Sequence, residues 1–233
     1  MADHPLKSTD FLKFIDQPVQ RYILRIIPAN AELSEQSGLK PHTLGKIPGR
    51  YNRQTGKWAG WTKWQNHATT KTDLEFWETD QNDTGPYAAG CRTGDIIIVI
   101  DLDSDDAAYI AMVRRLAEKH LGDTGVIRCR DGAVRIQLFY NRKVHTPPIT
   151  KQVCSYLDAQ GTKHLTEVLG AGQQTVIEGP HAKGAMHYWE SFDLVNGWGA
   201  DERGHDRRDR RLPDGRCGGI RAAWHDQGEV LAD

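Results

Sequence analysis

Five apolar residues in a row, Ile96–Ile100, run directly into Asp101-Leu102-Asp103, and Ser104, Asp105 and Asp106 follow without a break. An unbroken β-branched run of this length predicts a strand buried on both faces. Side chains alternate along a strand, so Asp101 and Asp103 share one face and Leu102 takes the other. Two carboxylates about 5 Å apart in a half-buried site repel by a few kcal/mol. A divalent cation held by oxygen ligands offsets that repulsion directly. The plainer reading is a pair of solvated acids capping the next helix. Asp105 and Asp106 fit that role better, because they sit in the first turn, where the helix dipole favours acids. Ser104 is the expected N-cap. Tyr109, Met112, Val113 and Leu116 recur at helical spacing, and Gly122 is the expected stop.

A second signal lies just downstream. Gly125–Arg130 and Ala133–Tyr140 read as strands joined by Asp131-Gly132, a strong hairpin signature. With a two-residue loop, Arg128 falls opposite Arg135. Arg128, Arg130, Arg135 and Gln137 then share one face. Ile127, Cys129, Val134, Ile136, Leu138 and Tyr140 share the other, the expected core. Like charges directly opposed destabilise a sheet unless an anion lies between them, and guanidinium forks match phosphate. That face is expected to hold a triphosphate or a nucleic-acid backbone; an ordinary solvated face is the alternative. Glu167 sits mid-strand in Leu165–Leu169 and is a candidate third metal-binding carboxylate, the alternative being an edge-strand acid.

Around these signals, residues 8–16 read as a short helix, Gln20–Pro28 as a strand, 29–57 as exposed loop, 73–79 as a helix capped by Thr72 or Asp73, 151–160 as a helix, and Gln173–Glu178 as a strand. Trp58, Trp61, Trp64 and Trp77 lie near Lys57 and Lys63 in a pattern that would suit base stacking, but core packing is the better reading for most of them. The tail, 199–233, is charged and poor in apolar residues, so a mobile or loosely packed end is expected. The 233-residue chain carries a net charge of −1, so nucleic acid would have to be met by a local basic groove rather than a general field. Its four cysteines form no CxxC pair, which argues against a zinc ribbon or a disulfide scaffold. No long apolar run or signal-peptide pattern is present, and a cytoplasmic protein that does not enter membranes is expected.

In order, Gly45–Gly49 (GKIPG), Trp58–Trp61 (WAGW), IIIVIDLD, EVLGAGQQTVIEGPH and HYW resemble the bifunctional primase–polymerase family of the archaeo-eukaryotic primases, in its phage and prophage branch. The similarity runs from about Arg25 to Trp189. It implies an α/β (α+β), two-lobed fold with an RRM-like antiparallel catalytic sheet within residues 1–198. It also implies template-directed nucleotidyl transfer by a DNA primase or polymerase in the replication of phage, plasmid or other mobile DNA. Asp101, Asp103 and Glu167 would bind two Mg²⁺ or Mn²⁺ ions. Arg135 would meet the nucleotide's phosphates, joined by Arg128 and Arg130 of the same sheet face, while His181, Tyr188 and Trp189 stand at places typical of the family, His181 as a further nucleotide contact or, alternatively, as a structural histidine bonded to backbone. Arg135 stands where most members carry a histidine. Single-stranded DNA template, primer and nucleoside triphosphates would be the partners, with a helicase domain or a separate helicase as a further one. No structural zinc is expected, and the chain would be a stand-alone domain or the N-terminal part of a larger replication protein. A non-catalytic nucleic-acid-binding module with the same shell is the alternative, followed by a metal-dependent nuclease.

Overall fold

The computed structural model describes residues 9–84, 86–142 and 146–192. Among the described residues the fold is mixed α/β, with two α-helices and a large antiparallel sheet. In chain order the elements are β1 (Ile23–Ile26), β2 (Gly49–Asn52), β3 (Lys57–Gly60), α1 (Lys71–Thr84), β4 (Ala88–Arg92), β5 (Ile97–Asp103), α2 (Ala107–Leu121), β6 (Val126–Arg130), β7 (Ala133–Asn141), β8 (Gln152–Leu157), β9 (Lys163–Leu169), β10 (Gln174–Pro180) and β11 (Met186–Phe192). The described residues fall into two compact units. One takes the described residues within 9–93, 128–133 and 172–191, the other those within 94–127, 134–171 and 192. The expected tail, 199–233, lies outside the described residues.

In the first unit the strand order is β1-β4-β10-β11, antiparallel throughout. Its core gathers Ile23, Leu24 and Ile26 with Trp58, Trp61, Trp77 and Tyr87, all buried. Trp58 meets Tyr87 edge-on at 5.1 Å, and Trp61 meets Trp77 at 6.2 Å. Three of the four clustered tryptophans are therefore core residues, as their apolar bulk favours. Buried among them, the Arg25 guanidinium lies 4.9 Å from the Trp58 ring centre and donates to Asp80 at 2.7 Å.

Several local expectations are corrected here. Of the helix expected over residues 8–16, the described part, 9–16, yields only a 3-10 turn, Leu12–Phe14, because Asp16 turns left-handed (φ 59°) and Pro18 follows. Residues 29–57 are not all loop, since they carry β2 and the start of β3. Neither Thr72 nor Asp73 is the cap of α1. Thr70 precedes the helix, and its Oγ1 accepts from the Asp73 amide at 3.2 Å while the Asp73 carboxylate accepts from the Thr70 amide at 2.8 Å. This reciprocal pair starts α1 earlier than expected.

The second unit orders its strands β7-β5-β9-β8. Residues 151–160, expected to be helical, form β8 and a turn that pairs with β9. Asp106, rather than Ser104, caps α2, accepting from the amides of Ala108 and Tyr109. Gly122 ends the helix at φ 84°, as expected. The hairpin is present, with Asp131-Gly132 between β6 and β7 and Gly132 at φ 67°. The assignment of its faces needs amending. Ile136, Leu138 and Tyr140 are buried, but Val134 on the same side is exposed, and Gln137 and Arg128 on the supposed open side are buried too. The middle of β7 is covered on both sides, so its pattern is not one of alternating core and solvent.

Candidate functional site

The acids come together by register. In the β5–β9 ladder Asp101 lies directly opposite Glu167, and Asp103 opposite Leu165. In the β5–β7 ladder Asp101 lies opposite Gln137. Directly opposed residues of antiparallel strands point to the same face, with Cα atoms about 4.5–5.5 Å apart. Asp101, Asp103, Glu167 and Gln137 therefore share one face of the second unit's sheet, and α2 lies on the other. Three carboxylates separated by up to 66 positions in sequence meet on a single surface.

Cationic side chains accompany them. Arg135 forks onto Asp105 through Nε and Nη2, both at 2.8 Å, and its Nη1 bonds Asp103. The hydrogen bond to Asp105 is the chief cause that raises the Arg135 pKa further, reinforced by the charges of Asp103 and Asp105 against partial burial. Lys151 pairs with Glu167 at 2.7 Å. Arg135, expected to bind phosphate, is thus a partner of the acids. Lys151 was not foreseen, and it lies just ahead of the strand that the sequence disguises as a helix.

The donor set suits Mg²⁺ or Mn²⁺, which favour carboxylate oxygens. Among the described residues, however, no three His, Cys, Asp or Glu side chains converge closely enough to hold an ion. The backbone register brings the acids to one face, and the two ion pairs hold their carboxylates on other partners. Lys151 and Arg135 occupy the electrostatic role a divalent ion would take.

A basic cluster forms in the first unit. His181 Nε2 lies 3.3 Å from Arg130 Nη1, and the His181 and His187 rings meet edge-on at 5.2 Å. Gly45 makes the approach of Lys46 possible. It sits at φ 74°, and a Cβ there would lie 2.8 Å from that of Ala182. Burial, then the charges of Arg130, Lys46, Arg128 and Lys183, push the His181 pKa down to about 4. Burial, then Arg128, His181 and Arg130, push His187 down to about 2. His187 is buried, and its Nδ1 has no hydrogen-bond partner. Four cations around two neutral imidazoles make a place suited to a phosphate. Arg128, Arg130 and His181 were expected from sequence, whereas Lys46, Lys183 and His187 come from loops and a strand that only folding brings together.

The two histidines make stability depend on pH with a definite sign. Both stay neutral in the folded chain, while the unfolded chain protonates them near pH 6.5. Below that point the unfolded state binds more protons, so stability falls as pH drops from about 6.5 toward 4. Thermal melts of His187→Gln, which cannot take up that proton, should show a shallower loss over this window than the wild type. An equal slope would remove His187 as a source.

The chain matches no protein-family model, no curated protein and no solved structure.

Proposed function

We propose that the chain is a template-directed nucleotidyl transferase, a DNA primase or polymerase of the primase–polymerase kind, working from the face that holds Asp101, Asp103 and Glu167. The observation that carries this reading is the register, which sets Asp101 opposite Glu167 with Asp103 two residues on. Like-charged residues are not normally placed face to face in a sheet, and a metal-binding role accounts for the arrangement. The finer expectation of a two-lobed primase–polymerase architecture with an RRM-like catalytic sheet belongs to the same proposal.

Asp101, Asp103 and Glu167 would hold two Mg²⁺ or Mn²⁺ ions, which supply a lowered pKa for the attacking 3′-hydroxyl and charge compensation for the leaving pyrophosphate. Glu167 must release Lys151, and Asp103 must release Arg135, for these carboxylates to serve as ligands. Arg135, once free of Asp103, is placed to take a phosphate oxygen. Arg128, Arg130 and His181, with Lys46 and Lys183, would neutralise phosphates of a triphosphate or of a nucleic-acid backbone.

The test is incorporation of labelled nucleotides on a primed single-stranded template with Mg²⁺ or Mn²⁺, each nucleotide type in turn. Extension should be seen, and Lys46→Ala and Arg130→Ala should each weaken binding of single-stranded DNA to the chain about tenfold, the scale of one lost charged hydrogen bond. A second reading, a non-catalytic nucleic-acid-binding module, is favoured by the ion pairs that already engage Asp103 and Glu167. Template binding without incorporation under any of these conditions would select it.

A further inference from the structure

On the reverse face of the same strand end, Ser104, His164 and Asp158 form a chain of hydrogen bonds. Ser104 Oγ lies 2.7 Å from His164 Nδ1, and His164 Nε2 lies 3.2 Å from Asp158 Oδ2. Asp158 is itself fixed in the β8–β9 turn, its Oδ1 accepting from the amides of Thr162 at 2.7 Å and Gln160 at 3.0 Å. A carboxylate only accepts, so a neutral His164 carries its proton on Nε2 and its bare Nδ1 accepts from the Ser104 hydroxyl. The Ser104 oxygen accepts in turn from the Asp106 amide at 3.0 Å. Tyr109 stacks on the His164 ring at 4.8 Å and holds it upright.

These residue types also make up hydrolytic triads, but that chemistry does not apply here. Ser104 is only 3% exposed and its oxygen already accepts an amide, so a substrate carbonyl cannot reach it.

The position of the bond says more. The β5–β9 ladder ends with Asp103 opposite Leu165, and one step on, Ser104 would face His164. Their side chains make a rung where the backbone has stopped pairing and the chain turns into α2. Asp103 is the last residue of β5, so the orientation of its carboxylate depends on whether that strand end stays in place.

We infer that His164 and Ser104 are positioning residues for the metal-binding acids, locking the end of β5 from behind so that Asp103 faces the same site as Asp101 and Glu167. This role rests on the nucleotidyl-transfer reading above. Groups that orient metal ligands without touching the ion commonly change affinity by about 10–100-fold.

Mn²⁺ binding to the full chain, followed by electron paramagnetic resonance, tests the role without relying on activity. Ser104→Ala and His164→Phe, the latter keeping an aromatic ring for Tyr109, should bind Mn²⁺ at least about tenfold more weakly than wild type. Ser104→Thr, which keeps the hydroxyl, should restore affinity, and circular dichroism should show all three folded. Should a variant unfold, hydrogen exchange at the Asp103 and Asp106 amides of the folded Ser104→Thr and wild-type chains must show protection, and rapid exchange in both would overturn the rung. Wild-type affinity in folded Ser104→Ala and His164→Phe overturns the positioning role alone. A wild-type chain that binds no Mn²⁺ overturns both this role and the proposed function.

Discussion

Asp101→Asn is expected to reduce nucleotide incorporation by at least about a thousandfold, equivalent to about 4 kcal/mol of transition-state stabilisation, while the chain remains folded. Asp101 is central to the acid face, with Glu167 opposite it on one side and Gln137 on the other. An amide of the same shape keeps the strand but loses the charge that would hold a divalent ion. The accompanying stability change is informative. In chelator, Lys151 and Arg135 already offset the charge of the acid face, so the melting temperature of Asp101→Asn should stay near that of wild type. With Mg²⁺ added, the wild type should gain stability and the variant should gain less, because an ion bound only by the folded chain stabilises it. Extension assays and thermal melts with and without metal check both parts. Full retention of extension would remove Asp101 from the site.

Asp80→Ala should cause the largest loss of stability in the first unit, about 3–5 kcal/mol, the usual cost of breaking a buried ion pair from one side. Asp80 is 0% exposed and accepts from Arg25 at 2.7 Å, from Arg53 at 2.7 Å and from the Tyr87 hydroxyl at 2.9 Å. Burial lowers the Arg25 pKa, while Tyr87 and Asp80 act in the opposite direction. Without Asp80, a guanidinium enclosed by Trp58, Trp77 and Tyr87 loses its principal counter-charge. Arg25→Met combined with Asp80→Leu removes both charges and should cost much less than Asp80→Ala. Urea unfolding at pH 7 distinguishes these outcomes, and equal losses for the single and double variants would show that packing rather than charge governs this core.

The acid strand was legible because its signal is local. Five β-branched residues before Asp101 leave few alternatives, and Asp131-Gly132 marks its own turn. Alternation grouped Glu167 with Leu165 and Leu169, but its place facing Asp101 depends on the β5–β9 register, which only the fold supplies. What escaped the reading has physical causes. β8 is mostly exposed, so no inward face imposes a period of two, and Val153, Cys154, Tyr156 and Leu157 imitate a helical stripe. β4 is Ala-Ala-Gly-Cys-Arg, with little strand propensity. It is chosen for tight packing instead, since a Cβ on Gly90 would lie 2.6 Å from Ile26 Cδ1. Ser104 has a side chain suited to a cap, but Asp106 takes that place while His164, 60 residues away, engages the hydroxyl. Long-range polar pairs of this kind leave no mark on local sequence, and neither did Lys151 on Glu167 or Lys46 beside His181.

The two ion pairs on the acid face bear on how such a surface would be loaded. Lys151 and Arg135 are tethered to the chain and cannot diffuse away, so a bare divalent ion competes with resident positive charge. An ion arriving with a polyphosphate brings its own anionic oxygens, and these offer the displaced ammonium and guanidinium somewhere else to go. Order of addition would then matter: metal alone should occupy the face weakly, and nucleotide should tighten its hold. A chain guarded in this way would remain electrically settled while idle and become receptive when substrate and ion arrive together.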